Sequence, residues 1–169
     1  MIAWMVTVLG AMLYIAVGLL YVNALEWVIH KYLLHNLGRK RRSVFHFHFD
    51  HHRAAITNNY TDKDLCWPEL VGLGLLVVGH SWMYLISPWL FLGASLAGLG
   101  YYIVHRWTHY KPELAKRYIP WHYNHHMKFP KHNWCVTLPI TDIIMGTYKN
   151  DKISDTEDTQ VVRDLTDNF

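Results

Sequence analysis

The sequence predicts an all-α integral membrane domain with about three spanning helices and a histidine-rich helical cap on the cytosolic side. Three observations lead to this prediction: 51% of the 169 residues are hydrophobic, only 17% are charged, and two long stretches carry no charged side chain. The length suits one domain, and such a low charge is unlike that of a water-soluble domain. The two cysteines lie far apart without a CxxC motif, which excludes a disulfide framework and a cysteine zinc site.

The first uncharged stretch runs from Met1 to Leu25 and predicts one spanning helix. It contains no proline, and about 20 apolar residues are enough to cross a hydrocarbon core of about 30 Å. A cleaved signal peptide is the alternative. Such a peptide needs a basic N-terminal region and a small-residue cleavage site, and neither is evident here.

The second uncharged stretch, residues 70–105, predicts a helical hairpin. Ser87-Pro88 divides it into two halves of 17 residues each. Proline favours a tight turn, because it cannot donate a backbone hydrogen bond and it restricts the residue before it. We therefore expect Pro88 at the outer face of the membrane.

The basic residues predict the orientation of the chain. All sixteen lysines and arginines lie in two segments, Lys31–Lys63 and Arg106–Arg163. Three spans place both segments on one side, and the positive-inside rule makes that side cytoplasmic. The N-terminus is then outside, and the C-terminus is inside.

The domain organisation is predicted as a membrane-embedded domain over residues 1–149 and an acidic, solvated tail over residues 150–169. The tail carries six acidic and two basic residues, which leaves a net charge of +7 on residues 1–149. A segment this polar lacks the apolar residues that a core needs. The basic run Arg39–Arg42 lies beside predicted spans, so we interpret it as a topogenic cluster near anionic lipid and expect no nucleic-acid partner.

Ten of the thirteen histidines fall into four tight groups at or beyond the cytoplasmic ends of the predicted spans. The groups are His30 and His35; His48, His51 and His52; His105 and His109; and His122, His125 and His126. Residues three or four apart share a helix face, and neutral imidazole is the commonest metal ligand in proteins. One ion cannot use ten ligands, so the pattern predicts a dinuclear metal centre.

The first histidine pair has an unusual spacing. His30 and His35 would lie about 140° apart around an α-helix, which suits either ligands to different ions or a local bulge. Glu26 lies four residues before His30. Its carboxylate either holds the imidazole of His30 or is a helix-end charge at the membrane interface.

Three histidines lie outside the groups. His80 is expected in the middle of the second span as a hydrogen-bonded neutral side chain. His46 and His132 are candidates for additional contacts to the metal centre. Their positions in the sequence leave that role open.

The four groups resemble the histidine boxes of the fatty acid hydroxylase (sterol desaturase) superfamily. HKYLLH, HFDHH, HRWTH and HYNHH match its HX4H, HXXHH, HX3H and HXXHH boxes in order, and the resemblance extends from about Glu26 to Tyr148. It implies two metal ions at the cytosolic face, held by the ten grouped histidines, in a centre that uses O2 to hydroxylate or desaturate a lipid. No further catalytic residue is assigned.

The resemblance also implies which cofactors and partners to expect. Oxygen insertion into a C–H bond requires a metal that changes oxidation state, so we expect iron, although zinc could occupy the site. No haem motif is present, so the electron donor is expected to be a separate ferredoxin or cytochrome. A basic cytoplasmic face would attract an acidic donor.

The box spacing favours one branch of the superfamily. It is closest to that of fatty acid and ceramide 2-hydroxylases, which favours an acyl-chain substrate. Carotenoid ring hydroxylases share the HKYLLH box but usually have four residues inside the third box, where His105 and His109 enclose three. Desaturation remains open.

A histidine-rich metal-handling membrane protein is the alternative from another class. Such a protein would carry ionisable residues along its spans to make a path for the ion, and only His80 lies inside a predicted span.

Overall fold

The computed structural model describes residues 2–63 and 66–150, and these residues form helices and no strand. In chain order the helices are α1 (Ile2–Val28), a π-helix (Ile29–Leu37), α2 (Phe47–Thr57), α3 (Trp67–Gly79), α4 (Met83–Ile86), α5 (Pro88–Tyr110), α6 (Pro112–Tyr118), α7 (Pro120–Met127) and α8 (Ile140–Ile144). The all-α prediction is confirmed. The predicted acidic tail lies outside the described residues, apart from Asn150.

The described residues divide into two compact units. The apolar unit consists of residues 2–25 and 66–103, and the histidine unit consists of residues 26–63 and 104–150. All thirteen histidines except His80 belong to the histidine unit. The metal centre can therefore be described within that unit alone.

Two helical stretches of the described residues are long and apolar enough to cross a membrane, Trp4–Leu37 and Trp67–Ile86. Few of their side chains are buried within the protein, as expected for helices whose apolar side chains face lipid. The predicted third span, α5, has 23 residues, and its C-terminal turns carry His105 and His109. The class of helical membrane domain is confirmed, and the number of passes stays a prediction.

The predicted hairpin is broken twice. Helix α4 ends at Ile86 and α5 begins at Pro88, so the break at Ser87-Pro88 is confirmed. A second break follows α3 at His80. The prediction that His80 lies in the middle of a helix is wrong, because α3 ends at Gly79 and His80 is its C-cap residue. The Nδ1–H of His80 donates to the Leu76 carbonyl (2.7 Å) in the last turn of α3.

Helices α1 and α5 approach closely enough for their backbones to touch. A Cβ atom added to Gly18 would lie 2.6 Å from the Leu90 carbonyl oxygen, and one added to Gly93 would lie 2.4 Å from that of Ile15. Small residues allow such close packing between membrane helices. This contact organises the apolar unit.

Candidate metal centre

The π-helix brings the first two histidines onto one face. Its hydrogen bonds join residues five apart, and the ring centroids of His30 and His35 are 5.1 Å apart. The sequence left two explanations for the spacing of this pair, ligands to different ions or a local bulge, and the structure shows the bulge as a π-helix. Gly38 ends the segment, where a Cβ atom would lie only 2.0 Å from the Leu34 carbonyl oxygen.

Nine of the ten predicted ligands converge in two groups that could each hold a metal ion. In each group the candidate ligand atoms all lie within 4.8 Å of one another. The first histidine group contains His30, His35, His48, His52 and His125, and the second contains His51, His105, His109 and His126. The π-helix, α2 and α7 supply the first group, whereas α2, α5 and α7 supply the second.

The distances in the first group fit a bound cation. The Nε2 atom of His48 lies 3.0 Å from that of His30, 3.2 Å from that of His35 and 3.1 Å from that of His52. One ring nitrogen offers a single hydrogen or a single lone pair, so these three contacts cannot all be hydrogen bonds. A cation between the nitrogens would satisfy all of them.

The first group offers more ligands than a zinc site usually uses. Its five imidazoles exceed the four ligands that protein zinc sites usually have.

Four of the imidazoles are anchored through their other ring nitrogen. The Nδ1–H groups donate to the Trp134 carbonyl (His30), the His132 carbonyl (His125, 2.6 Å), the Asp62 carboxylate (His51, 2.6 Å) and the Tyr60 carbonyl (His109, 2.8 Å). Such partners fix the tautomer and the ring orientation of metal-binding histidines. They leave Nε2 as the ligand atom in each case.

The second group also contains buried nitrogens that fit a metal site. The Nε2 atoms of His51 and His105 are 3.1 Å apart. His109 Nε2 and both ring nitrogens of His126 are buried and have no hydrogen-bond partner among the described residues. A buried polar atom without a partner costs about 1–3 kcal/mol, and a metal ion would remove that cost.

The electrostatics keep the ligands in the form that binds metal. Burial lowers the pKa of His48, His52, His125 and His126 well below the usual range, and neighbouring imidazoles lower it further. These side chains are neutral at pH 7. Neutral imidazole is the form that coordinates metal.

Comparison with protein families identifies the chain. Residues 15–147 match the family model described as fatty acid hydroxylase. The chain belongs to the fatty acid hydroxylase family. The comparison with curated proteins found no match, and neither did the comparison with solved structures. The resemblance seen in the histidine boxes is thereby confirmed, and membership supports a membrane hydroxylase whose histidine groups could bind metal ions.

His122 differs from the other grouped histidines of this family member. It is buried on α7 with its ring centroid 4.7 Å from that of His126 and 5.0 Å from that of His105. Within residues 2–63 and 66–150, neither ring nitrogen has a hydrogen-bond partner, yet His122 falls outside both groups. Its role as a ligand stays a prediction.

Glu26 neither holds the imidazole of His30 nor lies as a charge at the membrane interface, the two alternatives that the sequence offered. Its carboxylate accepts hydrogen bonds from the backbone N–H groups of Val136 and Thr137 (3.2 Å for Thr137) and from the Thr137 hydroxyl (2.9 Å). It is buried, so it is not an interfacial charge. The Nδ1–H of His30 donates to Trp134 instead.

The ungrouped histidines make different contacts. His80 accepts from the Tyr21 hydroxyl (2.8 Å) and donates to Leu76, which confirms the prediction of a hydrogen-bonded side chain. The Nδ1–H of His46 donates to the Gly38 carbonyl (2.8 Å). His132 supports the centre through its backbone carbonyl rather than its ring.

Asp62 is a site residue that the sequence did not reveal. It accepts from His51, its Oδ2 atom lies 3.7 Å from Arg106 Nη1, and its carbonyl accepts from Arg106 Nη2 (3.1 Å). Asp62 follows α2 in a segment without regular structure. No helical spacing could therefore link it to His51.

Proposed function

We propose that this family member is an O2-dependent membrane lipid hydroxylase with a histidine-ligated di-iron centre that acts on an acyl chain. The observation that carries the proposal is the convergence of nine buried or half-buried histidines into two adjacent ligand sets. The proposed ligands are His30, His35, His48, His51, His52, His105, His109, His122, His125 and His126. Iron, when bound, would supply the change in oxidation state that oxygen insertion requires.

The protein contributes a rigid, water-poor setting for this chemistry. His105, His109, His125 and His126 are at most 3% exposed. The anchored Nδ1–H groups hold the imidazole planes in place without any rearrangement of the ligands. Exclusion of water strengthens electrostatic interactions and protects reactive species from side reactions.

The donor set accepts iron, and the proposed reaction requires a metal that changes oxidation state. Neither group contains a cysteine or carboxylate ligand, and the first group offers five imidazoles. Imidazole suits iron as well as zinc, but zinc has no redox chemistry. A zinc-loaded protein would therefore be folded and inactive.

The apolar unit supports a substrate from the bilayer. It contains most of the two helical stretches of membrane length, which bury few of their side chains within the protein, and a lipid would reach the protein by lateral diffusion. The spacing of the third box favours an acyl chain over a carotenoid ring. Desaturation would remove a second hydrogen from the same chain instead of adding oxygen.

The electron donor is proposed to be a separate acidic ferredoxin or cytochrome. Arg39, Lys40 and Arg41 are exposed in the histidine unit, and a basic surface steers an acidic partner in a manner that salt weakens. The proposal places the metal centre on the cytoplasmic face and the N-terminus outside.

Reconstitution under labelled oxygen tests the function. The purified protein, loaded anaerobically with ferrous iron, would be supplied with host lipids, ferredoxin, a ferredoxin reductase and NADPH as the source of electrons, and product lipids would be analysed by mass spectrometry. We expect no product until 18O2 is admitted, and then an acyl chain carrying one 18O atom. Zinc-loaded protein is the matched control and should remain inactive.

The other outcomes are distinct. An acyl chain two hydrogens lighter, without label, would show desaturation. A labelled ionone ring would show a carotenoid hydroxylase. Product formed without O2, or with zinc alone, would contradict the oxygenase proposal.

A further inference from the structure

The two carbonyl anchors of the first histidine group come from one loop. His125 donates to the carbonyl of His132 (2.6 Å), and His30 donates to the carbonyl of Trp134. The second group takes its anchors elsewhere, from Asp62 and Tyr60. Whatever orients the loop of residues 132–137 therefore orients ligands of the first group only.

Asp142 holds the peptide that contains the Trp134 carbonyl, the anchor of His30. The Cys135 N–H donates to Asp142 Oδ2 (2.7 Å), and the Trp134 N–H donates to Oδ1 (2.9 Å). The Trp134 carbonyl and the Cys135 N–H belong to one planar trans peptide and point in opposite directions. By fixing the N–H, Asp142 directs the carbonyl towards His30.

Asp142 is also linked, through Thr147, to the His132 carbonyl, the anchor of His125. The Thr147 hydroxyl donates to Asp142 Oδ1 (2.6 Å), and its N–H donates to the Asp142 carbonyl (2.8 Å). The Thr147 carbonyl in turn accepts from the Asn133 N–H (3.0 Å). That N–H shares a peptide plane with the His132 carbonyl, so the same argument directs this carbonyl towards His125.

Glu26 completes the support of the loop. It accepts from the N–H groups of Val136 and Thr137. Four consecutive backbone N–H groups, from residue 134 to residue 137, therefore donate to two buried carboxylates. Hydrogen bonds in a buried setting of low dielectric are stronger than those in water, which suits a loop that must hold two ligands still.

We propose that Asp142, assisted by Glu26, is a positioning residue for the first metal site. It orients two backbone carbonyls that fix the tautomers of His30 and His125, and it does not itself touch the metal. The inference rests on the proposed function only in that both histidine groups bind metal. Hydroxylation itself is not required.

The test is the affinity of each site for Co2+, measured by visible absorption and metal analysis. Asp142→Asn preserves volume but sets an amide NH2 against the N–H of either Trp134 or Cys135. We expect one of two Co2+ sites to weaken by about 10–100-fold and the other to keep its affinity. Glu26→Gln should have a smaller effect, because the Thr137 hydroxyl can reverse and accept from the new amide.

Asp142→Asn tested in two histidine variants distinguishes the loss of ligand positioning from a general loss of structure. In His30→Ala protein, Asp142→Asn should cause a smaller further loss, because only the His125 anchor is left to disturb; in His51→Ala protein its full effect should persist. Glu113→Gln is the control and should bind like wild type, because Glu113 is an exposed carboxylate that pairs with Lys116 at the surface.

Several results would overturn the inference. These are equal weakening of both sites, no weakening in a folded Asp142→Asn protein, or an undiminished effect in the His30→Ala background. If Asp142→Asn does not fold, Glu26→Gln alone must weaken one site selectively. Wild-type protein that binds no metal would overturn both this inference and the proposed function, whereas binding of two ions without hydroxylation would overturn the function alone.

Discussion

The four anchored imidazoles differ in their acceptors, and Asp62 is the carboxylate among them. A carboxylate acceptor raises the basicity of the imidazole it holds more than a carbonyl does. Arg106 lies against the same carboxylate and places a positive charge beside it. Among the four anchored imidazoles, His51 should therefore bind the metal ion most strongly.

Replacing Asp62 by Asn should weaken metal binding at the second group. The isosteric amide keeps the shape but not the charge, and loss of such a partner typically costs about 10–100-fold in metal affinity. Cobalt titration measures this loss. Asp50→Asn is the control, since Asp50 is exposed on α2 next to His51 in sequence and pairs with Arg53; an equal loss in both variants would contradict the role of Asp62.

Single histidine replacements should separate ligands from bystanders. His51→Ala and His126→Ala should lower bound iron and abolish turnover, because each removes an imidazole from the second group. His80→Ala should keep its iron, since His80 contacts Tyr21 and Leu76 instead. The measurement is the iron content of the purified variants. An equal loss of iron in His80→Ala and His126→Ala would contradict the assignment of the ligands.

Spacing in the sequence predicted the histidines but not their supports. Residues three or four apart on one helix must share a face, so α2, α5 and α7 could be anticipated as carriers of ligands. Asp62 and Asp142 reach the centre through irregular segments and a five-residue helix. Their positions depend on tertiary packing, which no local periodicity encodes.

At the scale of elements, the π-helix shows how a local deviation solves a spacing problem. An α-helix would have separated His30 and His35 by more than a third of a turn, whereas the wider turn aligns them. The sequence raised a bulge as one of two alternatives. The structure shows the bulge, and it brings the rings of both His30 and His35 into contact with the ring of His48.

The crossing of α1 and α5 yields a prediction about the apolar unit. Gly93→Ala would place a methyl group 2.4 Å from the Ile15 carbonyl oxygen, so the helices must separate at a cost of about 1–3 kcal/mol. Gly100→Ala on the same helix meets nothing within 4 Å and should be neutral or slightly stabilising. Thermal unfolding in detergent compares them, and equal melting temperatures would contradict the close crossing.

At the scale of the whole molecule, the distribution of charge divides the chain more sharply than its length does. The described part of the apolar unit contains one charged side chain, Glu69, whereas the histidine unit contains both basic segments up to Lys149. The sequence showed this division directly, because a membrane excludes charge whatever the details of packing. The number of passes is harder to predict, since α5 ends in the polar turns that carry the third histidine box.

The predicted orientation can be tested on the full chain with one pair of cysteine variants. Val44 and Leu85 are 82% and 87% exposed, the first in the basic segment and the second beside the predicted outer turn. In a Cys66→Ser background, Leu85→Cys should react with a membrane-impermeant maleimide in intact cells, because three spans place that turn outside. Val44→Cys should react only after permeabilisation, because the positive-inside rule places its segment in the cytoplasm. Labelling of Val44→Cys in intact cells, or of Leu85→Cys only after permeabilisation, would contradict the orientation and with it the supply of electrons from the cytosol.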